Sequence, residues 1–431
     1  MSANESSAKP PSEYTPRAWS VIFGASMAAF CSVGFINSYG VFQEYYLANQ
    51  LADEAESTVA WLGGLAIFFI YVGGAVSGPL LDLFGPTVML CVGSVGTVFS
   101  IMMASICHEF YQFLLAQGIS MGIFMSLLVA PSIAVVGQYI KVKRGAAMGI
   151  VIAGSSLGGV IWPIAINELL KNESVGFGWT MRIVGFIMIP LLAAGCFCCR
   201  PHPKPPVTDS ELPSPRQQEK PSQRRPDFSI LKKPEMQLLA IAYFFICFGL
   251  FCPFFFITSY AVAHGFSHDL AFYTVSIVNG ASMLGRVLPG MVADKYGRFN
   301  FCVIFTLLSG IIALCWTKAT SAAGLVVFSA AYGFTSGAIL SLQQVCAAQI
   351  ATPQTIGLAV GTIFGAGSLP AMASTPISGE LAGEYGYLAL SIFAGKDADK
   401  AIMQADMTFL FLLVVQSGRT CSEDGLRMLM E

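Results

Sequence analysis

Charge is what this chain has least of. Asp, Glu, Lys and Arg make up 11% of its 431 residues, about half the share usual in soluble domains. The 25 acidic and 23 basic residues nearly cancel, and a net charge of −2 excludes nucleic acid or another charged polymer as the expected partner. The four histidines, at 108, 202, 264 and 268, sit in or near expected loops and form no catalytic or metal cluster. No Gly-x-x-x-x-Gly-Lys-Ser/Thr loop occurs, so bound nucleotide powers nothing here, and no cofactor is expected. Residues 1 to 16 are polar and rich in Pro and Ser, which is not the pattern of a cleavable leader. The twelve cysteines lie mostly inside apolar runs, where they pack as small hydrophobes, and no disulfide framework is read from them.

What the chain has in excess is apolar surface. Apolar residues reach 55% and the mean hydropathy is +0.67. A bilayer core of about 30 Å needs about 20 such residues as helix. Runs of that length fall near 18–42, 59–81, 87–107, 111–140, 145–169 and 179–199, then near 236–263, 270–293, 300–317, 323–350 and 356–383. Between the two sets lies 200–235, rich in Pro, Ser and charge, which cannot build a core and is expected to be a mostly disordered connector.

Basic residues set the expected sidedness. Lys141, Lys143, Arg144, the connector, Lys295 and Arg298 fall on one side, and acidic Asp53, Glu54 and Glu56 on the other. The amino terminus and connector are therefore expected to be cytoplasmic. Asn172-Glu173-Ser174 then faces outward, a glycosylation candidate at Asn172, although so short a loop close to the membrane commonly leaves its sequon unused.

Two blocks repeat at one offset. Gly78, Asp82 and Gly85 recur 212 residues later as Gly290, Asp294 and Gly297, and Gly145, Ala147 and Gly149 recur as Gly357, Ala359 and Gly361. Two blocks in one register mean two related halves. In a polytopic membrane chain, parallel halves mark an alternating-access secondary transporter. The expected fold is all-α, with two six-helix bundles. Residues 1–16 form a disordered terminus, 17–199 the first bundle, 200–235 the linker, 236–394 the second bundle and 395–431 an atypical tail.

The tail breaks the pattern. A twelfth span is due after Glu384, but Tyr385 to Ala394 supplies ten mainly apolar residues before Gly395-Lys396-Asp397-Ala398-Asp399-Lys400, and a second patch follows at Met407 to Val415. Neither patch crosses a bilayer alone. A broken helix, a truncated protein and a sequence altered at an exon boundary are the three readings. The last is favoured, because charges in mid-span are costly.

Gly290-Met291-Val292-Ala293-Asp294-Lys295-Tyr296-Gly297-Arg298 resembles the G-x-x-x-D-R/K-x-G-R/K loop of the major facilitator superfamily, and Gly78 to Gly85 is its first copy. Gly78, Asp82, Gly85, Gly290, Asp294, Gly297 and Arg298 are accordingly gating candidates, with a plain tight turn as the alternative. The first copy has Leu83, Pro86 and Thr87 where basic residues are usual, which weakens its ion pairing. Up to about Glu384 the chain also resembles the fungal relatives of the monocarboxylate transporters. The likeness rests on Gly34 to Tyr46, on Arg144 to Gly159, and on Gly285-Arg286-Val287-Leu288-Pro289-Gly290.

That resemblance implies that Arg286 binds a substrate carboxylate. Arg286 lies eight residues, about 12 Å of helix, from Asp294, too deep for easy snorkelling. The alternative is an arginine tied to a backbone carbonyl or to an acid on another helix. Two departures count against simple proton symport of lactate-like acids: Asn37 stands where such carriers have a lysine, and Ser282 where they have an aspartate. Asn37, Asn279 and Gln343 are further substrate-binding candidates, although helix-to-helix hydrogen bonding is the commoner use of such residues. The expected function is transport of a small organic solute, a monocarboxylate or related organic anion, with or without a coupled proton. The expected location is the plasma membrane, with lipid as surroundings. Export of a self-made metabolite and a non-transporting sensor of the same fold are the alternatives.

Overall fold

A computed structural model describes residues 14–172, 174–200, 228–352 and 354–395. Among the described residues the regular structure is helical, and ten segments are long and apolar enough to cross a bilayer. They run Pro16–Ala48, Thr58–Leu81, Pro86–Ala104, Phe110–Tyr139, Arg144–Lys171, Gly176–Cys198, Pro234–Ala263, Asp269–Tyr296, Ala322–Ile350 and Ile356–Glu384. An eleventh helix, Arg298–Leu314, has 17 residues. These segments coincide, mostly within a few residues, with the eleven runs expected from hydropathy. The ten-residue apolar helix Gly386–Gly395 follows the last of them. At about 1.5 Å per residue it reaches roughly halfway through a bilayer. The second patch, Met407 to Val415, lies outside the described residues, as do 201–227 of the linker. The rest of the linker is ordered: Phe228–Lys232 makes a 3₁₀ turn that buries Ile230.

Three spans are interrupted, and polarity or proline accompanies each break. The first is divided into α1 (Pro16–Cys31), α2 (Val33–Ile36) and α3 (Tyr39–Ala48). At the first break Ser32 Oγ donates to the Ala28 carbonyl at 2.6 Å, competing with the backbone ladder. The fourth passes from α6 (Phe110–Phe113) through a π-helical turn, Leu114–Ser120, into α7 (Met121–Tyr139). Gln117 in that turn accepts a 2.6 Å hydrogen bond from the Tyr46 hydroxyl. The seventh changes at Phe251 from α10 (Pro234–Leu250) to α11 (Cys252–Ala263), where Pro253 occupies the first turn of the new helix.

The remaining spans are α4 (Glu56–Phe84), α5 (Pro86–Ala104), α8 (Arg144–Lys171), α9 (Gly176–Cys198), α12 (His268–Tyr296), α13 (Arg298–Leu314), α14 (Ala322–Ile350) and α15 (Ile356–Glu384). Gly85 joins α4 to α5 at φ +80° and Gly297 joins α12 to α13 at φ +107°. Each ends one helix and begins the next in a conformation that disfavours a Cβ, so the second glycine of each repeated block makes the reversal.

The halves meet through the repeats themselves. α4 packs along α15 and α8 along α12. A Cβ on Gly78 would overlap the Gly357 carbonyl oxygen and stand 3.2 Å from Gly361 Cα. The other interface matches it: a Cβ on Gly145 would overlap the Gly290 carbonyl, and one on Gly149 the Arg286 carbonyl. Adding 212 to Gly78 gives Gly290, and subtracting it from Gly357 gives Gly145. The two interfaces are thus one interface used twice, and both lie at the end of the bundle where the linker enters.

Gly78→Ala and Gly290→Ala are therefore each expected to cost the closed packing about 1–3 kcal/mol, as overpacking does. A fall in the thermal midpoint of the detergent-solubilised protein, of similar size for both, checks this. An unchanged midpoint would contradict the close approach.

Candidate functional site

Arg286 sits ten residues, about 15 Å, inside the linker-side end of α12. It is 3% exposed. One guanidinium nitrogen, Nη1, donates at 2.7 Å to the Ile152 carbonyl and also to Ser155 Oγ, both on α8 in the opposite half. Nε is buried without a partner. Among the described residues no carboxylate is bonded to it. A guanidinium carries five N–H donors, so two bonds from one nitrogen leave most of its capacity unused.

Other orphaned polar atoms gather on the same helices. Ser282 Oγ lies one turn before Arg286 on α12, Ser156 Oγ on α8, and Gln343 Oε1 and Gln344 Oε1 on α14; all are buried and unpartnered. α8, α12 and α14 pack on one another. Each such group left without a partner costs about 1–3 kcal/mol.

The asparagines behave differently. Asn37 Nδ2 donates to Asn279 Oδ1 at 3.1 Å, and Asn279 Nδ2 donates to the Val275 carbonyl. Gly159 leaves the space they occupy, since its Cβ would stand 2.6 Å from Asn279 Oδ1 and 2.7 Å from Asn37 Nδ2. Asn37 and Asn279 thus tie the end of α2 to α12, while Gln343 keeps an unbonded oxygen and Arg286 an unbonded nitrogen.

Two tyrosines at this level carried no sequence signal that set them apart from twelve others. The hydroxyls of Tyr71 (α4) and Tyr243 (α10) are 3.3 Å apart, across the halves. Alternation or motif could not have found them, because a span that is apolar on all sides does not reveal which face looks inward.

At the linker end, Asp294 organises the second repeated block. Its Oδ1 accepts from the Gly145 N–H at 2.8 Å and its Oδ2 from the Ala146 N–H at 2.9 Å. Those are free N–H groups of the first turn of α8, whose partial positive charge favours a carboxylate. Arg298 pairs with Asp294 at 2.9 Å and donates to the Val142 carbonyl at 2.6 Å. Arg144 reaches the Ala348 carbonyl at the end of α14, again across the halves, at 2.6 Å. The Asp82 side chain lies outside the described residues, so the first copy contributes Gly78 and Gly85 to this description. Asn172 is exposed beyond the end of α8, and its side-chain oxygen accepts from the Ser174 N–H and hydroxyl.

The Major Facilitator Superfamily profile matches residues 22–395. Agnestins efflux protein AgnL12 of Paecilomyces divaricatus is 45% identical over 395 residues, covering 91% of this chain and 88% of that protein. Aspyridones efflux protein apdF of Emericella nidulans is 40% identical over 380 residues, with 88% and 74% covered. Among solved structures, the human organic anion transporter MFSD10 (TETRAN) matches with a TM-score of 0.68 at 18% identity, covering 92% of this chain and 100% of that one, a likeness of fold.

Removing the Asp294 carboxylate strips two first-turn N–H groups of α8 of their acceptor and breaks the pair with Arg298. Helix caps are worth about 0.5–2 kcal/mol, so Asp294→Ala is expected to raise opening at the linker end about tenfold. The measure is maleimide labelling of a single cysteine replacing buried Met148, in a background without other cysteines. Equal labelling rates with and without the carboxylate would contradict the expectation.

Proposed function

The chain belongs to the major facilitator superfamily, and on that footing we propose that it is an electrogenic efflux carrier for an organic anion. The observation that carries the proposal is the buried Arg286, bonded to a carbonyl and a hydroxyl, with Nε unpartnered and no acid bound to it. A charge held away from water without a counter-ion is expensive, and an anionic substrate supplies the missing partner. The planar fork of donors suits a carboxylate, which agrees with the finer likeness to monocarboxylate carriers in the blocks around Gly34, Arg144 and Arg286.

Direction follows from charge. Ser282 stands one turn from Arg286 in place of an acid, so no side chain there hands a proton over with the anion. The loaded site is then near neutral, and the empty site returns as a cation. With the linker and amino terminus in the cytoplasm of an inside-negative plasma membrane, the potential pulls the empty site inward and the anion outward. At 100 mV that drive is about 2.3 kcal/mol, roughly a fiftyfold gradient. The names of the relatives, efflux proteins for agnestins and aspyridones, agree with outward movement.

In this scheme the described conformation is the one closed toward the cytoplasm. Asp294 and Arg298, with the Gly78/Gly357 and Gly145/Gly290 contacts, hold it shut. Gly85, Asp82, Gly290 and Gly297 belong to the same gate, and Gln343 of α14 is a further candidate for binding the substrate.

The test is net flux of radiolabelled benzoate and lactate in proteoliposomes, with no anion on the opposite side and a potential clamped by valinomycin and potassium. Flux is expected to follow the potential and to fall at least tenfold in Arg286→Ala, with partial recovery in Arg286→Lys. Anion movement indifferent to both the potential and Arg286 would sink the proposal.

A further inference from the structure

Two counterpart helices, one from each half, end together on the linker side. α7 finishes at Tyr139 and α14 at Ile350, and adding 212 to 139 gives 351, one residue past that second end. The two helices touch. The last carbonyls of a helix carry about half a negative charge, so two such ends brought together repel. Neither α7 nor α14 has a basic residue in its own last turn to offset this.

One side chain reaches both ends. Arg144, the first residue of α8, donates through Nε to the Ile140 carbonyl just past α7, at 3.1 Å, and through Nη1 to the Ala348 carbonyl in the last turn of α14, at 2.6 Å. Arg144 is 9% exposed, so its attraction to the two ends is little screened. Lys233 also reaches the end of α14, at the Ile350 carbonyl, but it is exposed and belongs to the same half as α14. The repeat shows what sets Arg144 apart. Adding 212 to 144 gives 356, and Ile356 opens α15 as Arg144 opens α8. A Cβ on Gly137 of α7 would stand 2.7 Å from Ile356 Cδ1, so that crossing of the halves is apolar where its counterpart is charged. The charged crossing is also reciprocal. α8 has no acid in its first turn and takes Asp294 from the second half, while α14 takes Arg144 from the first.

We propose that Arg144 is a positioning residue of the linker-side gate, a cation clasped between the negative ends of α7 and α14 that holds the two halves together there. The proposal rests on the reading of that end as a gate. When α14 draws away, the bond to Ala348 breaks, while the bond to Ile140 lies within the first half and moves with it. The guanidinium thus stays behind on α8, and the end of α14 loses the charge that offset it. Without Arg144 the two ends face each other unneutralised, and the closed arrangement loses its advantage. Ile356 cannot substitute, because an isoleucine offers the opposite crossing contact but no charge.

The experiment is maleimide labelling of the full-length protein in detergent, in a background without other cysteines, with two separate reporters. Met148→Cys reports the linker end; Thr274→Cys, at a buried position six residues inside the other end of α12, reports the far side. Arg144→Met keeps a long stem and loses the charge and the donors, so it is expected to raise Met148→Cys labelling about tenfold. Arg144→Lys keeps the charge and is expected to stay within about threefold of the unchanged chain. Thr274→Cys labelling is expected to stay the same throughout, because opening one end leaves the other buried. A rise of equal size at both reporters would mean that Arg144 only holds the fold together, and would overturn the clasp. Unchanged Met148→Cys labelling in Arg144→Met, with a rise in Asp294→Ala, leaves the gate standing and removes Arg144 from it. If neither variant raises it, the reading of this end as a gate fails as well. Should Arg144→Met not survive purification, Arg144→Gln, which keeps a donor without the charge, decides by the same criteria.

Discussion

Everything in this molecule depends on how closely two helix pairs approach. Along α4 and α15, and again along α8 and α12, backbone meets backbone where a side chain would intrude, at Gly78 against Gly357 and at Gly145 against Gly290. Lipid offers no hydrophobic drive for two apolar helices to join, so their association rests on van der Waals contact and on hydrogen bonds that few polar atoms can make. Glycine supplies the first by letting the axes come together. Closeness also brings Asp294 to the first N–H groups of α8, which supplies the second. A contact of this kind holds well in one arrangement and poorly when the helices separate slightly, because dispersion falls away over a fraction of an ångström. That is the physical character needed of a gate.

Burial of Arg286 is the second constraint, and it pulls the other way. A membrane protein gains nothing in stability from a cation at mid-depth whose bonds reach only a carbonyl and a hydroxyl. In the proposed function its missing counter-ion arrives with the substrate. Ser156, Ser282, Gln343 and Gln344 are likewise buried with an unbonded oxygen.

Much of this was legible in the chain. Eleven spans followed from run length alone, because twenty apolar residues in lipid have only the helix available to satisfy their backbone. The repeat at 212 residues named the glycines that later proved to face each other. The breaks in the first, fourth and seventh spans were not legible. Ser32 and Gln117 look unremarkable within runs of apolar residues, and a π-helical turn has no residue signature of its own. The bonds of Asn37 with Asn279 and of Arg286 with Ile152 join residues far apart in sequence, and only packing decides them. Tyr71 and Tyr243 were hidden for a related reason: in a helix apolar on every face, periodicity does not point inward.

The two constraints are coupled through α12. Arg286 and Asp294 stand eight residues apart on one unbroken helix, about 12 Å along its axis. The backbone of Arg286 lies against Gly149 and its side chain reaches Ile152 and Ser155, while Asp294 caps Gly145 and Ala146. All of these partners belong to the first twelve residues of α8. In the proposed cycle α12 therefore cannot leave α8 at the gate without withdrawing Arg286 from the groups that hold it. An anion that competes for the guanidinium weakens one end of the same interface that the Asp294 cap secures at the other. By linkage, opening the gate must favour the anion by the same free energy with which the anion favours opening. The proposed site and the proposed gate are thus two ends of a single helix–helix contact, and the proposal needs no longer path to connect them.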